Sequence, residues 1–484
     1  MAYSRGVKWS MAGSVCSAVF QFLQMVVFAR LASPADMGDY ALAAAVVGFL
    51  TPVAEAGVSQ SVVFARETNP GQAAALTGIN FLLGLLIFAA LYVSADALAA
   101  WYGRSGLAGL LALMGASLLV TPLAARNAGL LARAMRFESV AKVEIFSWLL
   151  SSAVVVVLVS QGWGARAMGA GFLARNLLAS AAYVAIAGHL PRAGKFRIGH
   201  LRGIGPYLRF GLFDLSARWA DFLANYLDKL VVGKWLGPEA LGYYNLAFMF
   251  LMLPTARLGY IVARVAFPLF ARLRDDAAQL QRHFQQAGRD VLVVLFPVYG
   301  GIALFSREII LAVFGENWLP AAPLLVAFGL AGLVRSCCVA IPQLVRGVGK
   351  PDLLFFWMLA WTLALNAFLG AFLAVDASAA AAAWSRAAAK FAVEIAMLRW
   401  LAGRCGVRFD PSLRFAAKIL VWFSPVAALT WLSGQIPAAF WPAFALKAGV
   451  FAAGLWWFAF RSPLRTDVSE LLGLFRFERK ARDG

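Results

Sequence analysis

Charge is scarce in this chain. Of 484 residues, 14% are Asp, Glu, Lys or Arg, whereas 62% are hydrophobic. A soluble protein of that length would need charged surfaces around two or more cores, and this composition cannot supply them. Cysteine and histidine are scarcer still. Cys16, Cys337, Cys338 and Cys405 have no metal-ligand spacing and three stand in apolar runs, so they read as small buried hydrophobes. His189, His200 and His283 are scattered through polar connectors. No zinc site, P-loop or nucleophile elbow is readable. A basic start, Arg5 and Lys8, runs into an apolar stretch without a convincing cleavage site, so no cleavable leader is expected.

Acidic residues are also few, 24 against 43 Lys and Arg, for a formal net charge of +19. In a soluble protein that excess would suggest nucleic acid. Here no segment interleaves a basic patch with stacking aromatics, and no nucleic-acid partner is expected. Retention of cations in cytoplasmic loops accounts for most of the excess.

What the chain does have is apolar runs of about twenty residues from end to end, each able to cross about 30 Å of hydrocarbon. Backbone polar groups find no water there, so each crossing is a helix or part of a closed barrel. The runs are continuously apolar rather than alternating, which selects helices. Spans are expected near 10–30, 39–63, 75–100, 107–131, 143–160, 166–188, 207–235, 240–266, 289–312, 320–345, 353–375, 377–401, 415–434 and 438–460. The even connectors hold the cations: Arg133, Arg136 and Lys142; Arg192, Lys195, Arg197, Arg202 and Arg209; Arg272, Arg274, Arg282 and Arg289; Arg346 and Lys350; Arg404, Arg408 and Arg414. The alternation puts both termini in the cytoplasm. Two segments read as amphipathic helices on the cytoplasmic face: Arg272–Asp290, with Leu273, Leu280, Phe284 and Ala287, and the tail, with Val468, Leu471, Leu472 and Phe475.

The chain repeats itself. Arg30, Pro34, Gly38, Tyr40, Leu42 and Ala43 recur at the same spacing as Lys234, Pro238, Gly242, Tyr244, Leu246 and Ala247. Pro52, Ala54 and Gly57 then match Pro254, Ala256 and Gly259, and Phe64-Ala65-Arg66 matches Phe270-Ala271-Arg272. Spans one to six and seven to twelve therefore read as parallel repeats, with two spans appended. The expected division is an N-terminal lobe 1–190, a cytoplasmic linker 191–205, a C-terminal lobe 206–402, two further spans in 403–462 and an amphipathic tail 463–484.

Several charges fall inside spans, where each costs several kcal/mol by most estimates. Asp214, Arg218, Asp221, Asn225, Asp228 and Lys229 build a polar stripe on the seventh span, and Arg386, Lys390 and Glu394 recur every fourth residue on the twelfth. Arg175, Arg257 and Arg335 add cations, and Glu55 occupies the place that Arg257 takes in the other repeat. Such groups either pair, as Asp214–Arg218 and Lys390–Glu394 would, or line a cavity. A cationic cavity suits a phosphate-bearing ligand, which makes Arg218, Arg257, Arg335, Arg386, Lys390 and Arg175 the candidate binding residues.

The twelve-plus-two layout, the Arg30…Pro34…Gly38-x-Tyr40 stretch and Leu131-Ala132-Arg133-Ala134-Met135-Arg136-Phe137 resemble the polysaccharide transporters of the MOP exporter superfamily, the Wzx-type oligosaccharide flippases. The resemblance implies an all-α integral membrane protein of about fourteen helices, two six-helix lobes in a pseudo-twofold V and two extra C-terminal helices. It implies movement of undecaprenyl-diphosphate-linked oligosaccharide from the cytoplasmic to the periplasmic leaflet of the bacterial inner membrane, for O-antigen or exopolysaccharide synthesis. Membrane lipids, a polysaccharide polymerase and a chain-length regulator are the implied partners. No cofactor, metal or covalent chemistry is implied. An H+ or Na+ gradient is a possible drive, with Glu55, Asp214 or Asp221 as carrier. A lipid II flippase shares the layout. A MATE-like cation-coupled drug antiporter would favour an acidic cavity and twelve spans. A membrane polymerase or ligase would carry a large outer loop, and every expected outer connector is short.

Overall fold

Apolar runs without alternation leave the backbone no partner but itself, and each becomes a helix in the computed structural model, which describes residues 2–55, 70–134, 136–187, 205–350, 352–435 and 440–460. Among these residues there is no strand. The helices are α1 (Ala2–Leu31), α2 (Pro34–Glu55), α3 (Pro70–Tyr102), α4 (Ser105–Gly115), α5 (Thr121–Arg133), α6 (Phe137–Ser160), α7 (Ala165–Ala187), α8 (Gly205–Trp235), α9 (Gly237–Arg272) and α10 (Ala277–Leu304). After them come α11 (Ala322–Ser336), α12 (Ile341–Gly347), α13 (Asp352–Val375), α14 (Ala379–Ala389), α15 (Ile395–Arg404), α16 (Asp410–Ser433) and α17 (Phe440–Phe460). Among the described residues ten helical stretches are long and apolar enough to cross a membrane, so the chain is an all-α, multi-pass membrane protein. Gly57, Phe64–Arg66, Arg192, Lys195, Arg197, Arg202, His189, His200 and the tail stripe lie outside the described residues.

By internal packing the chain divides into two units, Met1–Gly242 and Tyr243–Gly484, with the division inside α9. In the first unit α1 packs on α6, α6 on α7, α3 on α4 and α8 on α2. Small residues let these helices approach, as membrane packing requires. A Cβ on Gly13 would strike Ala141, and one on Gly171 would strike Val155. Beside the latter contact, Ser151 Oγ donates to the Gly171 carbonyl at 2.8 Å.

The start of α2 shows why the repeated motif has its composition. Pro34 opens the helix with a preset φ. Ser33 Oγ accepts from the Asp36 amide at 3.1 Å, and Asp36 Oδ2 accepts from the Ser33 amide at 3.0 Å, closing a reciprocal cap. Asp36 Oδ1 also accepts from the Ala165 amide at 3.0 Å, so one carboxylate ties off the starts of α2 and α7. The two copies of the motif then meet. A Cβ on Gly38 would overlap the Pro238 carbonyl oxygen, and a Cβ on Gly242 would overlap that of Pro34. Each copy's glycine receives the other copy's proline carbonyl, so both glycines are needed for space.

In the second unit α10 packs on α11, α14 on α11 and α13, and α16 on α10 and α17. Gly332 lies under the Tyr299 ring, whose hydroxyl donates to the Leu251 carbonyl at 2.6 Å. The segment Arg272–Asp290 is not a helix lying on the membrane face. Most of it is the first half of α10, and Leu280 and Phe284 are buried against Phe270, Leu344, Leu398, Leu401 and Phe409. An apolar stripe amid charge has the same pattern whether it meets lipid or protein. Here Gln281 fixes the choice: its Nε2 donates to the Arg408 carbonyl at 2.9 Å and its Oε1 accepts from the Arg408 amide at 2.6 Å. The appended hairpin α16–α17 is held by Phe423 on Phe296, with centroids 5.7 Å apart, and by Lys447 Nζ on Glu308 Oε1 at 2.6 Å.

Candidate functional site

Among the described residues, several clusters of intramembrane charge can be built up from their contacts. In the first unit α8 brings Arg218 to the last described turn of α2. Arg218 Nη1 donates to Glu55 Oε2 at 2.7 Å, with side chains 31% and 17% exposed. Asn80 of α3 donates to the Glu55 carbonyl. Trp219 stacks on Phe49 at 5.3 Å and donates from Nε1 to the Phe49 carbonyl at 3.0 Å, which fixes the rotation of α8 against α2. A substrate candidate and an ion-carrier candidate are thus one ion pair.

Arg175 belongs to a second cluster, between α6 and α7. Its Nη2 donates to Glu144 Oε2 at 3.1 Å, and its guanidinium lies 4.5 Å from the Trp148 ring. Tyr183 Oη donates to the other carboxylate oxygen, Glu144 Oε1, at 3.1 Å. Glu144 was missed from sequence because it stands at the expected edge of its span. Farther along α8, Asp221 is exposed and accepts from Asn225 at 3.2 Å, whereas Asp228 and Lys229 are buried. Asp214 lies on α8 and Arg257 on α9, with side chains outside the described residues.

The second unit holds a run of three deeply buried charges on one helix. Arg386, Lys390 and Glu394 are 0%, 2% and 1% exposed. Their helix is not regular. Between α14 and α15, Lys390–Glu394 forms a π turn, a geometry frequent at functional sites. Lys390 pairs with Glu394 and stands 3.8 Å from the Trp361 ring of α13. Arg386 lies 4.7 Å from the Phe248 ring and 6.0 Å from Trp361. Aromatic faces attract cations where water is excluded, by about 2 kcal/mol or more. Arg335 of α11 is half-buried and donates from Nε to Thr255 Oγ1 at 3.2 Å. The aromatic bed and the π turn carry no sequence signal, because any apolar span contains Trp and Phe.

Chemically, these clusters offer guanidinium and ammonium groups matched to carboxylates, with no group of three or more metal-ligating side chains among the described residues. Such groups can bind and exchange anions or protons.

Comparison with known proteins places this arrangement. The chain is 28% identical to the teichuronic acid biosynthesis protein TuaB of Bacillus subtilis (strain 168), over 73% of this chain and 72% of that one. It is 26% identical to the succinoglycan biosynthesis transport protein ExoT of Rhizobium meliloti (strain 1021), over 74% and 71%. Its fold is similar to that of the lipid II flippase MurJ in an inward closed conformation, with a TM-score of 0.73 at 16% identity, over 94% of this chain and 99% of that one. Residues 27–323 match the family described as polysaccharide biosynthesis protein, and the chain belongs to that family.

Proposed function

We propose that this protein is a flippase that moves a polyprenyl-diphosphate-linked oligosaccharide from the cytoplasmic to the periplasmic leaflet of a bacterial inner membrane. The observation that carries this is family membership together with relatives named for polysaccharide biosynthesis and transport. The intramembrane arginines support it, since a guanidinium fork suits a diphosphate. Arg218, Arg335 and Arg175 are the proposed first contacts, because each is partly exposed. Alongside the ten apolar stretches, α8, α9, the α14–α15 rod and α17 are proposed as further spans, fourteen in all, with both termini cytoplasmic. The cargo leaves chemically unchanged, so no catalytic residue is proposed. A polymerase and a chain-length regulator are proposed to take up the product. The lipid II reading has likeness of fold in its favour.

Deletion of the gene in its host tests the proposal. The expected result is loss of surface polymer, with lipid-linked repeat units retained at the inner leaflet and growth preserved. Restoration is expected from wild type and not from Arg218→Ala. Normal polymer in the deletion strain would sink the polysaccharide cargo. Arrest of cell-wall synthesis instead would select the lipid II reading.

A further inference from the structure

Burying an ion pair costs several kcal/mol per ion before attraction repays it, and this chain buries more than a pair. Arg386, Lys390 and Glu394 are all sealed within one unit, and Arg335 acts on Lys390 from α11 with the same sign. Lys390 thus meets one carboxylate, Glu394, and a second cation of like sign, Arg335. Lys390 is the member with an alternative, because guanidinium groups keep their protons and an amine can lose one. If Lys390 gives up a proton, its Nζ becomes a neutral amine beside the Glu394 carboxylate and the repulsion from Arg335 is relieved. The cluster then carries less net charge. Cys337 and Cys338 also face it, with Trp361 of α13 and Phe248 of α9 closing its apolar sides.

We propose that Lys390, paired with Glu394 across the π turn, carries the proton that couples cargo movement to the transmembrane gradient. This rests on the flippase reading for the cargo, not for the proton. The candidate carriers in the sequence, Glu55, Asp214 and Asp221, all lie in the first unit, whereas this pair lies in the second. A sodium ion entering the cluster would meet two guanidinium groups and one carboxylate, against its need for several oxygen ligands. A proton needs only a lone pair. The π turn holds one residue more than an α turn, so a change between the two forms re-aims the Lys390–Glu394 pair against the helices packed on it.

Lys390→Arg separates coupling from scaffolding, since arginine keeps the pair and cannot release the proton. In purified full-length protein, the Lys390 ammonium beside Trp361 makes that ring a reporter. The difference in emission between wild type and Trp361→Phe is expected to follow a one-proton titration that is lost in Lys390→Arg. It is also expected to be lost in Lys390→Met/Glu394→Gln, which removes the pair without stranding a charge. In proteoliposomes, with polyprenyl-diphosphate-linked N-acetylglucosamine as probe, the ratio of flux with and without a pH gradient is expected to exceed unity in wild type and fall to unity in both variants. A titration that survives in both variants, or a wild-type gradient ratio retained by Lys390→Arg, overturns the proposal. A wild type that titrates and moves none of the probe sinks the cargo and leaves the proton site standing.

Discussion

Arg218 Nη1 lies 2.7 Å from Glu55 Oε2, across 163 residues of chain, so the group suited to a phosphate is held by a carboxylate. The carboxylate occupies a place that an anionic headgroup would claim. Removing it should make the guanidinium easier to reach, and removing the guanidinium should remove a charged hydrogen bond of about 1.5–3 kcal/mol. Glu55→Gln is therefore expected to tighten binding of a polyprenyl diphosphate, and Arg218→Ala to weaken it on the order of 10-fold or more. Equilibrium binding to the purified variants measures both, and unchanged affinity in Arg218→Ala would remove this arginine from the site.

Gly38 and Gly242 predict a steric result. A methyl group on either would overlap a proline carbonyl of the other motif copy, which is backbone and cannot swing aside. Gly38→Ala is expected to cost about 1–3 kcal/mol or more, as overpacking does, and to lower the thermal midpoint. Gly370→Ala, where a Cβ meets nothing within 4 Å, is the control expected to leave the midpoint unchanged or slightly raised. Equal midpoints for the two variants would mean that the motif contact contributes nothing.

Lys447 predicts how the last two helices are fastened. Its Nζ reaches Glu308 at 2.6 Å, lies 5.1 Å from the Phe305 ring and passes close to Gly434. Cutting one side of this part-buried pair strands the other. Hydrogen exchange across α16 and α17 is expected to quicken in Lys447→Met and to recover in part when Glu308→Gln is added. Unchanged exchange in Lys447→Met would assign the hairpin's attachment to Phe423 and its aromatic neighbours alone.

Spacing along the chain made the Lys390–Glu394 pair legible, whereas pairs between distant segments leave no mark in it. Lys390 and Glu394 are four residues apart, a spacing that puts them side by side on any helix. Arg218 meets Glu55 from another helix, a partner that no spacing within α8 could name. Arg175 likewise finds Glu144, 31 residues away. Binding assignments for Arg386 and Lys390 came from charge alone. The charge is present, and the aromatic rings that close over it arrive from α9 and α13. The amphipathic start of α10 failed for a related reason: a stripe tells that one face is covered and not by what.

Composition and hydrophobic run length alone determined that this is a helical membrane protein, because a bilayer offers the backbone no other partner. The repeated proline and glycine motif was equally visible, since its spacing survives in the chain itself. Only the tertiary structure decided that the two copies clasp each other, that four of the intramembrane cations face carboxylates and that one cluster is sealed in a π turn. Those outcomes depend on helix rotation and on contacts between distant segments. A period of three to four residues places a charge on a face of its own helix, and the neighbouring helices set what that face meets.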